Sequence, residues 1–174
     1  MSINVAVIGA GAMGTAVAQT IASNTKVFLY ARREEVAIDI NETHCNSQYF
    51  PNVKLDENIV AVNDLEKLSN VRIIFLCIPS SIMRDIVTKL NNIVDEGCIF
   101  VSTAKGIEKE SNKRMSEVIE EVTNKPAVVF SGPNIASEMV KNLSASTTIA
   151  CRESNYLDEV LKDACSLEEK LCPT

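Results

Sequence analysis

At 174 residues the chain is long enough for one domain with a sizeable core, and 46% hydrophobic with 23% charged residues is the balance of an ordinary globular protein. A net charge of −6 argues against nucleic acid as the main partner, since that would favour a basic face. No apolar run reaches the roughly 18 residues that a membrane span needs, and the N-terminus enters a core strand without a basic region or cleavage site, so the expected compartment is the cytoplasm.

Val5-Ala6-Val7-Ile8 is apolar without alternation, the pattern of a strand buried on both faces of a sheet. Gly9, Gly11 and Gly14 follow at G-x-G-x-x-G spacing, and Ala16, Val17 and Ile21 then recur at helical spacing. Gly9 permits the tight turn, Gly11 lets backbone approach a pyrophosphate, and Gly14 lets helix and strand pack closely. The helix that starts there aims unpaired N–H groups and a partial positive charge at phosphates. The strand–turn–helix context separates this motif from glycines that merely make a turn, so dinucleotide binding is expected.

Val27–Tyr30 reads as the second strand, followed by Arg32-Arg33 and Glu34-Glu35. An NAD-preferring site places an acidic residue on the ribose hydroxyls at the end of this strand, about 20 residues past the turn. Here arginines come first, suited to bidentate pairing with a 2′-phosphate. NADP(H) is therefore the preferred cofactor and NAD(H) the alternative, with Glu34 a competing ribose ligand. The plain reading is a solvated charge run that opens a helix.

Val36, Ile38 and Ile40 predict a short helix before the polar stretch 41–46, and Tyr49-Phe50-Pro51 closes a surface loop with its aromatics tucked inward. The length of that loop suggests that it covers a ligand. Ile59–Val62 is the third strand, and residues 71–78, ended by Pro79, are the strongest. Ser80 is expected to cap a helix whose face is Ile82, Ile86, Val87, Leu90, Ile93 and Val94, with Gly97 ending the segment. Residues 98–101 form a strand, Met115, Val118, Ile119 and Val122 a helix face, residues 127–130 a strand, and residues 147–150 the last strand. Ser154 is expected to cap a final helix carrying Leu157, Val160, Leu161, Ala164, Leu167 and Leu171, stopped by Pro173.

The six cysteines, at 45, 77, 98, 151, 165 and 172, include no C-x-x-C pair, and His44 is the single histidine, so reduced thiols and no metal are expected. Cys77 and Cys98 lie in apolar strand runs and read as small buried hydrophobes. Strands alternating with amphipathic helices give an α/β fold: a Rossmann-type, doubly wound, mostly parallel sheet with helices on both faces. No repeat, low-complexity tract or linker divides residues 1–174, which read as one dinucleotide-binding domain. Ligands of such sheets lie beyond the carboxyl ends of the strands. That end should carry the glycine turn, Arg32-Arg33, Lys105-Gly106 and Gly132-Pro133-Asn134. Lys105 could hold an anionic or carbonyl-bearing substrate or the nicotinamide edge, or be an ordinary exposed lysine. Gly132-Pro133-Asn134 could be a mere turn, although Asn134 offers both donor and acceptor.

Three later segments are narrower in what they match. Asn41-Glu42-Thr43-His44-Cys45-Asn46 with Tyr49-Phe50-Pro51, then Thr103-Ala104-Lys105-Gly106-Ile107-Glu108, then Ser131-Gly132-Pro133-Asn134-Ile135-Ala136-Ser137-Glu138 occur in the order and spacing of glycerol-3-phosphate dehydrogenases. The chain resembles the bacterial-type NAD(P)-dependent members of that family over nearly its whole length. The resemblance implies reversible reduction of dihydroxyacetone phosphate to sn-glycerol 3-phosphate, feeding glycerophospholipid synthesis. By position it places Ala12, Met13, Arg32, Arg33 and Tyr49 at the cofactor with the glycine turn. It places Lys105, the catalytic candidate, at both cofactor and substrate, Gly132 and Asn134 at the substrate, and Ala136 at the cofactor.

Ala12-Met13 depart from the family's usual Ser followed by an aromatic, which removes a hydroxyl near the phosphates and an aromatic wall. Asn134 stands where Ser or Thr is usual. Family members continue into a helical domain that supplies a general-base lysine, an aspartate and an Arg-Asn pair for the substrate phosphate, none with a counterpart here. Hydride transfer needs a base for the hydroxyl proton, and Lys105 could serve only if burial made it give up its proton near neutral pH. The chain is therefore expected to be the cofactor-binding half, inactive alone, with exposed apolar surface that would favour a homodimer. Two other readings stand beside it. One is a reductase of the 6-phosphogluconate or ketopantoate type, disfavoured by Lys105-Gly106-Ile107-Glu108 and Ser131-Gly132-Pro133. The other is a non-catalytic dinucleotide-binding or redox-sensing module.

Overall fold

The structure, a computed structural model, describes residues 4–143 and 146–164. Short apolar strands β1 (Val5–Ile8), β2 (Val27–Tyr30), β3 (Ile59–Val62), β4 (Ile73–Leu76), β5 (Ile99–Ser102), β6 (Val128–Ser131) and β7 (Thr148–Ala150) make one sheet in the order β3-β2-β1-β4-β5-β6-β7. β1 to β6 run parallel, and β7 returns antiparallel to β6. The order reverses between β1 and β4, which opens the sheet's ligand crevice at their carboxyl ends.

Parallel neighbours need crossovers, and these carry the helices α1 (Ala12–Ala22), α2 (Glu34–Thr43), α3 (Met83–Asn91) and α4 (Met115–Thr123), followed by α5 (Ala136–Met139) and α6 (Ser154–Ala164). The strands lack polar alternation because both faces are covered. Val5, Val7, Leu29 and Phe75 pack under α1, α2, Met139 of α5 and Val160 of α6. Ala6, Ile8, Leu76 and Phe100 pack under α3 and α4. Eight of the eleven residues of α1 are buried, and most are small, so this helix lies close on the sheet. The outer edge of β3 is occupied by Asn41, whose Nδ2 donates to Ala61 O at 2.9 Å while Ala61 N–H donates to its Oδ1 at 2.8 Å. An amide in that place blunts an edge that would otherwise template another strand.

Several local expectations need correction. α2 runs on through the first half of the polar stretch to Thr43, where His44 turns left-handed (φ 50°) and ends it. Its buried residues are Ala37 and Ile40, three apart, while Ile38 is exposed, because apolar residues two apart cannot share a helical face. Ser80 caps nothing: Pro79 leads into a 3-10 turn, Ser80–Ile82, and α3 begins only at Met83 with Met83, Val87 and Leu90 buried and Ile82 exposed. α3 ends at Asn91, well before Gly97. On α4 the buried face takes Thr123, whose Oγ1 donates to Ile119 O at 2.8 Å, and Val122 is half-buried. The 3-10 turns at Leu65–Leu68 and Ser80–Ile82 and the four-residue α5 are too short for periodicity to reveal. α6 begins at Ser154, and the expected Leu167, Leu171 and Pro173 lie outside the described residues.

Phe75 and Phe100, each 1% exposed, fill opposite faces of the sheet. Replacing either by alanine should cost about 3–5 kcal/mol in denaturant unfolding. A loss below about 1 kcal/mol, the range of surface substitutions, would contradict this placement.

Candidate functional site

The glycine turn is held by contacts that leave no room for side chains. Gly9 has φ +108°, and a Cβ there would lie 2.6 Å from the carbonyl oxygen of Cys77 beyond β4. A Cβ at Gly14 would lie 1.7 Å from Gly9 O, so α1 starts in van der Waals contact with the turn that precedes it. Gly11 is the opposite case: nothing stands within 4 Å of where its Cβ would be. It is also the N-cap of α1, without a side-chain cap and without an acidic residue in the first turn. Open space, uncapped N–H groups and no competing negative charge fit the pyrophosphate of a dinucleotide. Ala12 and Met13 are the first two residues of α1, both partly buried against the core.

Beside this turn a cavity of about 200 Å³ is lined by Ala10, Gly11, Ala31, Arg32, Arg33, Val36 and Tyr49. The two arginines and the tyrosine are thus brought to the glycine turn, but they differ in what holds them. Arg32 is exposed and makes no hydrogen bond or ion pair among the described residues. Arg33 is tethered, its Nη2 donating to Gln48 Oε1 and its Nε lying 3.6 Å from a Glu35 carboxylate oxygen. Glu34, expected from sequence as a competing candidate for the ribose, is exposed at the first position of α2. The aromatic pair divides: Phe50 is buried, whereas Tyr49 is 44% exposed at the cavity mouth, so only one of the two is tucked inward.

The loop carrying Tyr49 is fastened along its length. Asn46 Nδ2 donates to Ala10 O at 3.0 Å and to Thr15 Oγ1 at 2.8 Å, and Ser47 donates through N–H and hydroxyl to Asp39, both at 3.0 Å. The Cys45 thiol donates to Phe50 O at 3.2 Å. Asn46 and Gln48 fasten the loop to the glycine turn and to Arg33 without lining either cavity, and sequence reasoning gave neither a role there. Polar residues in a polar stretch carry no periodicity to mark them.

Further along the same end of the sheet, a small cavity of about 20 Å³ is lined by Met13, Thr103, Lys105, Phe130, Ser131, Gly132 and Asn134. Lys105 is exposed and its Nζ donates to Gly132 O at 3.3 Å. The amide of Asn134 faces the Thr147 hydroxyl, with Nδ2 at 2.7 Å and Oδ1 at 2.9 Å, so both of its polar atoms are engaged across the β6–β7 connection. Ala136 opens α5 and packs against the core cluster under α1, lining neither cavity. Thr103 and Phe130 join the site unannounced. Thr103 Oγ1 donates to Leu76 O at 3.0 Å, and the Phe130 ring meets Phe75 edge-on at 6.1 Å. A larger groove of about 500 Å³, at Gln19 and residues 54–58, lies by the amino ends of the strands and is lined by none of the candidate site residues.

Burial pushes the thiols of Cys77 and Cys98 up to about 12, so neither offers the thiolate that a redox sensor needs. Among the described residues, no three His, Cys, Asp or Glu side chains gather in a way that could hold a metal ion, and no helix is long and apolar enough to cross a membrane.

The segment bearing Lys105 is anchored from behind. Arg84 of α3 donates to both carboxylate oxygens of Glu108 at 2.8 Å and to Glu121 of α4 at 3.1 Å, and Lys113 reaches Glu121 at 2.7 Å. Hydrogen bonding from the Arg84 guanidinium, then from Ser111, lowers the Glu108 carboxyl to about 2.

Comparison with known proteins supplies the family. A model described as the N-terminus of NAD-dependent glycerol-3-phosphate dehydrogenase matches residues 4–157. The chain is 36% identical to a glycerol-3-phosphate dehydrogenase [NAD(P)+] of Halothermothrix orenii, covering 92% of this chain and 48% of that protein. It is 40% identical to one from Halalkalibacterium halodurans, over 90% of this chain and 47% of that protein. The crystal structure of glycerol-3-phosphate dehydrogenase from Coxiella burnetii superimposes with a TM-score of 0.86 at 26% identity, over 94% of this chain and 51% of that one. The chain spans about half the length of the curated relatives it matches.

The Glu108 anchor has a testable acid limit. Its carboxyl is lowered from 4.5 to about 2, so the ion pair contributes in full above the ordinary carboxylate range and is lost as pH falls towards 2. Glu108→Gln should speed amide hydrogen exchange across residues 105–113 at pH 7, and the difference from the unaltered chain should vanish near pH 2. Equal exchange at pH 7 would show that the anchor does not hold this segment.

Proposed function

Because the chain belongs to the NAD-dependent glycerol-3-phosphate dehydrogenase family, we propose that it is the cofactor-binding part of an enzyme interconverting dihydroxyacetone phosphate and sn-glycerol 3-phosphate. In this reading it works in the cytoplasm on a precursor of glycerophospholipids. The observation that carries the reading is the meeting of the glycine turn, Arg32 and Tyr49 around one cavity at the carboxyl ends of parallel strands.

Gly11 and the first turn of α1 receive the pyrophosphate of a nicotinamide dinucleotide, and Arg32 takes the 2′-phosphate that distinguishes NADP(H). Arg32 suits that role because no carboxylate among the described residues competes for its guanidinium, whereas Arg33 is already engaged with Gln48 and Glu35. The cofactor, when bound, supplies or accepts the hydride. Lys105, beside Gly132 and Asn134 at the second cavity, binds and orients the phosphorylated substrate as an exposed cation. This assigns the chain cofactor capture and substrate orientation, and leaves proton transfer to a group beyond its described residues, as in a two-domain enzyme.

Calorimetric titration with NADPH and NADH tests the reading. Arg32→Ala should weaken NADPH about ten- to a hundredfold, the loss of a charge-assisted contact, with NADH little changed. Equal losses would remove the NADP(H) preference. Failure of the unaltered chain to bind either dinucleotide at millimolar concentration would overturn the reading as a whole.

A further inference from the structure

The loop between α2 and β3 reaches the glycine turn through one side chain. Asn46 is 1% exposed, and its amide nitrogen donates to Ala10 O and to Thr15 Oγ1. Its Oδ1 is buried and has no partner among the described residues. A side chain that leaves one buried acceptor unpaired is present for its donors, since the unmade bond opposes stability.

The acceptor it serves is the middle residue of Gly9-Ala10-Gly11. In a trans peptide the carbonyl of one residue and the N–H of the next point in opposite directions, and no cis peptide occurs among the described residues. Drawing Ala10 O inward to Asn46 therefore turns the Gly11 N–H outward. That N–H has no hydrogen bond among the described residues, and Gly11 borders the open space at the head of α1. The Thr15 contact fixes the amide from the other side, because Thr15 is fully buried in the first turn and a half of the same helix.

We propose that Asn46 is a positioning residue for the pyrophosphate: by holding the Ala10 carbonyl inward, it aims the Gly11 N–H at the phosphates. The role rests on the dinucleotide reading given above. It makes a contact 36 residues away in sequence part of the phosphate cradle without touching the ligand.

Asn46→Leu, close in size and without donors or charge, tests the role, with Asn46→Ala as a second variant should the first fail to fold. Three ligands are titrated against each: NADPH and ADP-ribose, which contain a pyrophosphate, and adenosine 2′-monophosphate, which does not. The expected result is at least about tenfold weaker binding of NADPH and ADP-ribose with adenosine 2′-monophosphate unchanged. A merely structural role, in which the loop bearing Gln48 and Tyr49 collapses, would weaken all three ligands alike and overturn the proposal. Unchanged binding of all three would overturn it as well, while leaving the dinucleotide reading intact. If the unaltered chain binds neither NADPH nor ADP-ribose, the dinucleotide reading falls and the role of Asn46 falls with it.

Discussion

The carbonyl oxygen of Gly9 occupies the place where any residue at position 14 would carry its first side-chain atom. That contact brings α1 down onto the turn leaving β1, and the Cys77 carbonyl closes on Gly9 from the end of β4. The ends of the two strands on either side of the topological reversal are thereby locked to one helix. α1 can lie this close because its buried residues are mostly Gly, Ala, Thr and Val. The Tyr49 loop is then fastened to the same turn and helix through Ala10 and Thr15.

A chain with net charge −6 must attract an anion by local arrangement rather than by its overall field. The arginines divide along that line. Arg72 pairs with Glu159 and Arg84 with Glu108 and Glu121, which join separate elements, Arg152 lies 3.8 Å from Glu120, and Arg114 pairs with Glu117 at the start of α4. Arg33 is shared between its helix and the Tyr49 loop. Arg32 stands at a strand end, beside a cavity, and pairs with no carboxylate among the described residues. The first turn of α1 lacks an acid, whereas that of α2 has two, so only the former presents its N-terminus unneutralised.

What was legible in the sequence follows from the range of the forces involved. Strands buried on both faces must be apolar throughout, so β1, β2, β3 and β4 stood out, and the glycine spacing reported a steric fact local to six residues. The turns that gather at the carboxyl end followed from strand direction alone. Features settled by distant contacts were not legible. Ser80 has a good capping side chain but follows Pro79, and the chain takes a 3-10 turn instead. Tyr49 and Phe50 are neighbours of like chemistry, yet Phe50, bridged to Asn46, is buried and Tyr49 is exposed. Asn46 and Gln48 act on residues 36 and 15 positions away, which no local pattern records. Ala136, placed at the cofactor by resemblance, faces the core beneath α1 rather than either cavity.

The two faces of the sheet also differ in where their residues come from. Apart from Ala6 and Ile8, the buried residues under α3 and α4 run from Val62 to Ala127, one continuous stretch of chain. The other face draws on both ends, from Val5 to Val160, and its last helix is tied back by an Arg72–Glu159 pair that spans 87 residues. Closing a long loop costs more entropy than closing a short one, and non-local contacts slow assembly. The middle of the chain can therefore condense over its own side of the sheet early. On the opposite side α1 and α2 come from the first third of the sequence, whereas α6 adds, among the described residues, only Val160 and Tyr156, so its docking closes the longest loops of that face and completes the layer.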